Sequence, residues 1–237
     1  MSNSDFIGLA ASYSYATALL VVGELLRRLG GQKQELTRKI IHIGAGMWVF
    51  GVLFLFDRWE IGILPFATFI FFNYLFYRYR VFSAIDAESN SPGTVYFAIS
   101  VTLLFGLLWR PDGPADRVPI AVAGVMAMTW GDALAALIGK RIGQHRYRVG
   151  QSERSYEGSV AMFLASAVAM FLVLLLLPGS SLSPHSIPSH PGQAFSAALV
   201  GAAGATLVEA VSPHGTDNLS VPLVAALLVG VVISGFY

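Results

Sequence analysis

Thr129-Trp-Gly-Asp132-Ala-Leu-Ala-Ala-Leu-Ile-Gly139-Lys-Arg-Ile-Gly143-Gln-His-Arg-Tyr-Arg-Val-Gly-Gln-Ser-Glu-Arg154-Ser155-Tyr-Glu157-Gly158-Ser159 is the stretch that decides how the chain is read. It starts inside an apolar run and carries a carboxylate, Asp132, into that run. It then breaks at Gly139 into a cationic loop containing glycines, and returns to apolar sequence after Ser159. One membrane helix ends here and another begins. A helix end bearing an acid, beside a basic glycine loop, is a place to hold a metal and phosphates.

Hydrophobic residues make up 55% of the chain, charged residues only 12%, and the mean hydropathy is +0.64. A soluble domain carries about a quarter charged residues, so the composition is that of an integral membrane protein. Apolar runs recur along the whole chain, which a removable leader at its start does not explain. With no cysteine, disulfides and thiolate ligands are excluded. The net charge of +1 says little, and no nucleic-acid partner is expected.

A spanning helix needs about 20 mainly apolar residues. Eight segments qualify, near 6–26, 40–56, 61–77, 94–110, 118–138, 159–177, 194–211 and 221–237. The chain thus reads as an all-α integral membrane protein of about eight transmembrane helices, a single domain over 1–237 without internal repeats. Cytoplasmic loops collect lysine and arginine. Arg27, Arg28, Lys33, Arg38 and Lys39 fall in the first connection, Arg78 and Arg80 in the third, and Lys140, Arg141, Arg146, Arg148 and Arg154 in the fifth. Odd-numbered connections therefore face the cytoplasm, and both termini lie on the other side.

Ionisable residues inside spans are costly and mark function by default. Glu24, His42, Asp132 and Glu209 each fall at the cytoplasmic end of a span. For Glu24, pairing with Arg27 and Arg28 at helical spacing explains as much as a functional role does. His42 reads more readily as a satisfied core histidine than as a ligand. Asp132 is different, because the residues after it place it about 10 Å below Gly139 at helical rise, where a short acid needs a buried partner. Acids without a His or Cys cluster suit a hard cation such as Mg²⁺, with phosphate oxygens as further ligands.

The basic loop by itself has two readings, a topogenic segment attracted to lipid headgroups and a phosphate site. Gly139, Gly143, Gly150 and Gly158 favour the second, since glycine permits close backbone approach and frees amide donors. Gly139 and Gly143 also form a GxxxG packing pattern, which Lys140 and Arg141 argue against by placing it at the surface. No Walker A loop occurs. Glu157, Gly158 and Ser159 open a helix whose amides suit an anion, and Ser155 suits its cap. Near the end, Asp217 and Asn218 stand on a turn before the last helix, on the same side as Asp132.

Four blocks together resemble the CTP-dependent lipid-alcohol kinases: phytol kinase, dolichol kinase and the CTP-dependent diacylglycerol kinases. They are Arg38-Lys39-Ile-Ile-His42 with Gly46; Gly131-Asp132-Ala133 with Ala136, Gly139, Lys140 and Gly143; Ser155-Tyr156-Glu157-Gly158-Ser159; and Val208-Glu209 with Asp217-Asn218-Leu219 and Val221-Pro222. The compact length is most like the phytol kinase type. At Arg154 the family pattern has lysine; arginine keeps the charge and grips phosphate with a planar fork, so Arg154→Lys is expected to preserve or improve activity.

The resemblance implies transfer of the γ-phosphoryl group of CTP to a long-chain isoprenoid alcohol, such as phytol, geranylgeraniol or a polyprenol, in a cytoplasmic-side active site. Asp132 and Glu209 are then expected to bind Mg²⁺, with one of them or Asp217 accepting the alcohol proton. Arg38, Lys39, Gly139, Lys140, Arg141, Gly143, Arg154, Ser155, Glu157, Gly158, Ser159 and Asn218 would surround the nucleotide. Phe69, Phe71, Phe72 and Tyr74 are candidates for the path of the lipid tail. A phosphatidate cytidylyltransferase-like CDP-lipid synthase stays open as an alternative. A membrane transporter is more remote, because the acids crowd one face instead of the midplane.

Overall fold

Helices form wherever the apolar runs are long enough to cross a bilayer. In the computed structural model, which describes residues 1–29, 34–79, 92–113, 116–149, 152–213 and 215–235, these are α1 (Asn3–Leu29), α2 (Gln34–Leu55), the pair α3 (Trp59–Gly62) and α4 (Leu64–Tyr79), and α5 (Gly93–Leu108). Next come α6 (Val118–Met126), which continues through a π-helical turn (Ala127–Asp132) into α7 (Ala133–Ile142), and a hairpin of β1 (Arg146–Val149) and β2 (Ser152–Ser155). The chain closes with α8 (Tyr156–Leu176), α9 (Pro191–Val211) and α10 (Asp217–Ser234). Among the described residues seven stretches, with α3 and α4 counted together and α6 to α7 counted together, are long and apolar enough to cross a membrane; Gly93–Leu108 is shorter. The protein is a multi-pass integral membrane protein of seven to eight long apolar helices.

The span from α6 to α7 is the axis of the fold. Every residue of α6 is buried, as a helix apolar all round has to be. α2, α5, α8 and α10 all pack on the α6 to π-turn segment. α9 seats against α8 and α10 through small residues, with Ala194, Ala197, Ala198, Gly201, Ala202 and Ala205 all buried; small side chains bring helix backbones close where lipid offers no hydrophobic drive to association. At the end opposite the basic residues, buried Asp116 accepts from the amides of Arg110 and Val118 through Oδ1, and from Ser183 Oγ at 2.9 Å through Oδ2. It thereby ties the connection after α8 to the start of α6.

Four local differences from the sequence reading matter for the site. α2 begins at Gln34, not near 40, so Arg38 and Lys39 belong to a helix and not to a connection. α7 runs past Gly139 to Ile142, and the supposed glycine loop is largely an antiparallel hairpin, with Arg146 opposite Ser155 and Val149 opposite Ser152. The fifth span contains a π turn that leaves no trace in an apolar pattern. α10 begins at Asp217, so Asp217 and Asn218 form its first turn. Lys33, Arg80 and Gly150 lie outside the described residues.

Candidate active site

The ends of α1, α2, α4, α5, α7 and α10 that meet at the basic side enclose a cavity of about 570 Å³. Arg38, Lys39, Asp132, Lys140, Arg154, Asp217 and Asn218, taken from four separated blocks of sequence, all line it.

Lys39 and Asp132 form its deepest charged pair. Lys39 Nζ stands 2.5 Å from Asp132 Oδ2 and 3.3 Å from the Asp132 carbonyl oxygen, and the two side chains are only 6% and 15% exposed. The π turn explains why an acid can be held here. Its altered backbone pairing frees carbonyls, and side chains from neighbouring helices take them: Ser166 Oγ donates to Ala127 O at 3.1 Å, and His42 Nε2 to Met128 O at 3.2 Å. That bond assigns the proton of His42 to Nε2, which also lies 3.7 Å from Asp132 Oδ2. Gly46 of α2 makes the approach feasible, since a Cβ there would strike the Thr129 side chain. π turns concentrate at functional sites for this reason.

Arg154, on β2, is the second hub. Its guanidinium pairs with Glu209 at the end of α9, donates to Ser212 O at 3.2 Å, and lies 3.9 Å from Asp217 Oδ2. Glu209 is buried and does not line the cavity. Asp217, not Glu209, shares the cavity with Asp132, because Glu209 is turned toward the Arg154 guanidinium. Arg154 Nε is buried without a partner among the described residues. The first turn of α10 has its own support. Pro222 has no N–H for the Asn218 carbonyl, and Ser100 Oγ of α5 supplies the missing donor at 3.0 Å.

The hairpin junction is held by local bonds and close glycine packing. Ser155 caps α8 by accepting from Gly158 N at 3.1 Å. Glu157 accepts from the backbone N–H of His145 and pairs with its Nδ1 at 2.7 Å, and Ser159 bonds Tyr147 at 2.7 Å. A Cβ at Gly143 would meet the Gly139 carbonyl and stand 2.6 Å from Ser155 Oγ; one at Gly158 would stand 3.0 Å from Ala135 O and 3.3 Å from the Gly139 Cα. The GxxxG packing that Lys140 and Arg141 argued against is thus present, because those two side chains are exposed and leave the glycines to face α8. Gly139, Arg141, Gly143, Ser155, Glu157, Gly158 and Ser159 lie outside the cavity wall.

Away from the charges the cavity becomes apolar, bounded by Leu19 and Leu20 of α1, Ile41 and Trp48 of α2, Phe66, Phe69 and Phe76 of α4, and Phe97 and Val101 of α5. Phe97 touches the His42 ring, with centroids 5.2 Å apart, so the polar and apolar halves meet beside Asp132. Trp48 is fixed by a 3.1 Å bond to Ser12 Oγ and by stacking on Tyr15 at 4.2 Å. Of the aromatics expected on a tail path, Phe69 lines the cavity, whereas Phe71, Phe72 and Tyr74 are exposed. Glu35, Asn73, Thr94 and Glu153 are wall residues that the sequence reading passed over. For α4 a signal existed, in that Phe66, Phe69, Asn73 and Phe76 share one helical face.

Among the described residues no three His, Cys or acidic side chains are grouped as a metal cage. Asp132 and Asp217 facing one cavity do suit Mg²⁺, which is commonly bound by one or two carboxylates plus substrate phosphates.

Fold and site define a multi-pass membrane protein whose charged cavity, at one end of its spans, continues into an apolar pit. No family model and no solved structure matches the chain. Curated proteins do. It is 35% identical over 223 residues to phytol kinase of Synechocystis sp., covering 94% of this chain and 89% of that one. It is 28% identical over 240 residues to a probable chloroplastic phytol kinase 2 of Oryza sativa subsp. japonica, covering 94% and 75%. It is 24% identical over 215 residues to dolichol kinase of Mus musculus, covering 81% and 38%. The chain belongs to the family of phytol- and dolichol-type lipid kinases, a family of phosphotransferases that act on lipids.

Proposed function

We propose that the protein transfers the γ-phosphoryl group of CTP to the hydroxyl of a long-chain isoprenoid alcohol, such as phytol, geranylgeraniol or a polyprenol, at the cytoplasmic face of its membrane. The observation that carries this reading is one cavity with a charged end and an aromatic pit, joined at Asp132, His42 and Phe97. From His42 to Trp48 the pit runs about 9 Å at helical rise, enough for the part of the tail next to the hydroxyl; the remainder stays in lipid. The basic residues gathered at the charged end support the cytoplasmic side. CTP as donor follows the family resemblance.

Phosphoryl transfer asks mainly for positioning and charge neutralisation. Arg38, Lys39 and Lys140 neutralise the triphosphate. Asp132 and Asp217 would hold Mg²⁺, which supplies neutralisation of the phosphate oxygens. The alcohol oxygen forms a bond to the γ-phosphorus, the bond from that phosphorus to its bridging oxygen breaks, and CDP leaves. The hydroxyl proton passes to Asp132, which Lys39 releases as its ammonium turns to phosphate. Arg154 acts at one remove, holding Asp217 in place through the α9 to α10 turn. Vesicles containing the protein, given phytol and γ-labelled CTP, are expected to form labelled lipid phosphate, and Asp132→Asn to form none; pyrophosphate release with cytidine retained in lipid would instead mark a cytidylyltransferase.

A further inference from the structure

The cavity is balanced electrically in a way that an incoming triphosphate has to undo. The cations Arg38, Lys39, Lys140 and Arg154 line it together with the acids Glu35, Asp132, Glu153 and Asp217. Asp132 and Asp217 have a destination when a nucleotide arrives, the divalent cation that accompanies it. Glu153 is bonded to Arg146 on the facing strand at 3.0 Å. Glu35 has neither. Its carboxylate lies 2.7 Å from Lys140 Nζ, linking the first turn of α2 to the last turn of α7 across the cavity.

Neither residue needs the other for its own helix. An acid in a first turn and a base in a last turn are each favoured by the helix dipole. The Lys140 side chain is 60% exposed and that of Glu35 20%, so the pair is screened by solvent and weakly held. A phosphate group offers Lys140 a stronger, charge-assisted partner. Arg38, one turn beyond Glu35, has no ion-pair partner among the described residues and adds to the pull on an anion.

We propose that Glu35 is a displaceable stand-in for phosphate. It holds Lys140 across the cavity while the nucleotide is absent and yields the ammonium when the triphosphate enters. It thereby sets nucleotide affinity as a positioning residue and takes no part in transfer. This rests on reading the cavity as a nucleotide site.

Glu35→Gln removes the competitor and one negative charge, and is expected to lower the KM for CTP about three- to fivefold, the worth of a partly exposed pair. The effect falls on nucleotide KM, not on kcat or on the KM for the alcohol. The experiment compares wild type, Glu35→Gln, Glu35→Asp, Lys140→Met and the Glu35→Gln/Lys140→Met double variant. Each is assayed for turnover in vesicles and, purified in detergent, for binding of inorganic tripolyphosphate. Tighter anion binding in Glu35→Gln, return toward wild type in Glu35→Asp, and loss of the gain in the double variant support the proposal. Unchanged or weaker binding in Glu35→Gln, or an equal gain in the double variant, overturns it. Tighter tripolyphosphate binding without phosphorylation of any alcohol leaves Glu35 in its role and removes the kinase reading; an active wild type with an indifferent Glu35→Gln does the reverse.

Discussion

Replacing Lys39 by methionine probes the structural centre of the site. The substitution removes the ammonium 2.5 Å from Asp132 and leaves a carboxylate that is 15% exposed without its main partner. Breaking a buried pair from one side costs about 3–5 kcal/mol, because the remaining charge is uncompensated. Part of the Asp132 side chain stays open to solvent, which places the expected loss near the lower bound, about 3 kcal/mol. For a chain of this size that is a fall in Tm of about 6–12 °C. Asp132→Asn alone strands the lysine and is destabilising as well. The Lys39→Met/Asp132→Asn double variant removes both charges and is expected to be more stable than the sum of the single losses implies, by about 1–3 kcal/mol of coupling. Thermal unfolding in a single detergent measures all three, and all three are expected to be inactive. An unchanged Tm for Lys39→Met, or strictly additive losses, refutes the pairing and the place given to Asp132.

Ser100→Ala leaves the Asn218 carbonyl without the donor that replaces the missing Pro222 N–H; a loss of about 1–3 kcal/mol is expected in thermal unfolding, with activity falling further as the Asp217 turn loosens. Arg154→Lys keeps a charge for Glu209 but gives up the second prong to Ser212 O. It is expected to cost about 1 kcal/mol with activity kept, whereas Arg154→Met strands Glu209 and loses about 3–5 kcal/mol in the same unfolding assay. Gly143→Ala drives a methyl against the Gly139 carbonyl and Ser155 Oγ and is expected to lose about 1–3 kcal/mol. Gly106→Ala, with nothing within 4 Å, should be neutral or slightly stabilising, about 0.5–1 kcal/mol. Asp116→Asn, far from the cavity, lowers Tm by weakening the tie to Ser183 while leaving turnover unchanged.

The spans and the gathering of their polar residues at one end of the bundle were legible in the sequence because both follow from additive quantities, hydropathy along a window and the placement of lysine and arginine. Asp132 was legible for the same reason, as a short acid inside an apolar run. Which acid faces which space was not. Glu209 and Asp217 flank the same turn, and only the packing of Arg154 between them turns one inward and leaves the other at the cavity. The glycines are ambiguous by composition alone. Close packing and anion cradling both ask for a missing Cβ, and the tertiary neighbours, here Ser155 and the α8 backbone, decide between them. The π turn was invisible because it changes hydrogen-bond register without changing residue type.

A two-label experiment follows the γ-phosphate itself. Purified protein in vesicles containing phytol, geranylgeraniol or a polyprenol is given CTP labelled at the γ-phosphorus in one arm and in the cytosine ring in the other. Label is expected in the lipid phase from the first arm alone, dependent on Asp132, with CDP in solution. Cytosine label entering lipid, or no transfer to any of these alcohols from any nucleoside triphosphate, would contradict the kinase reading.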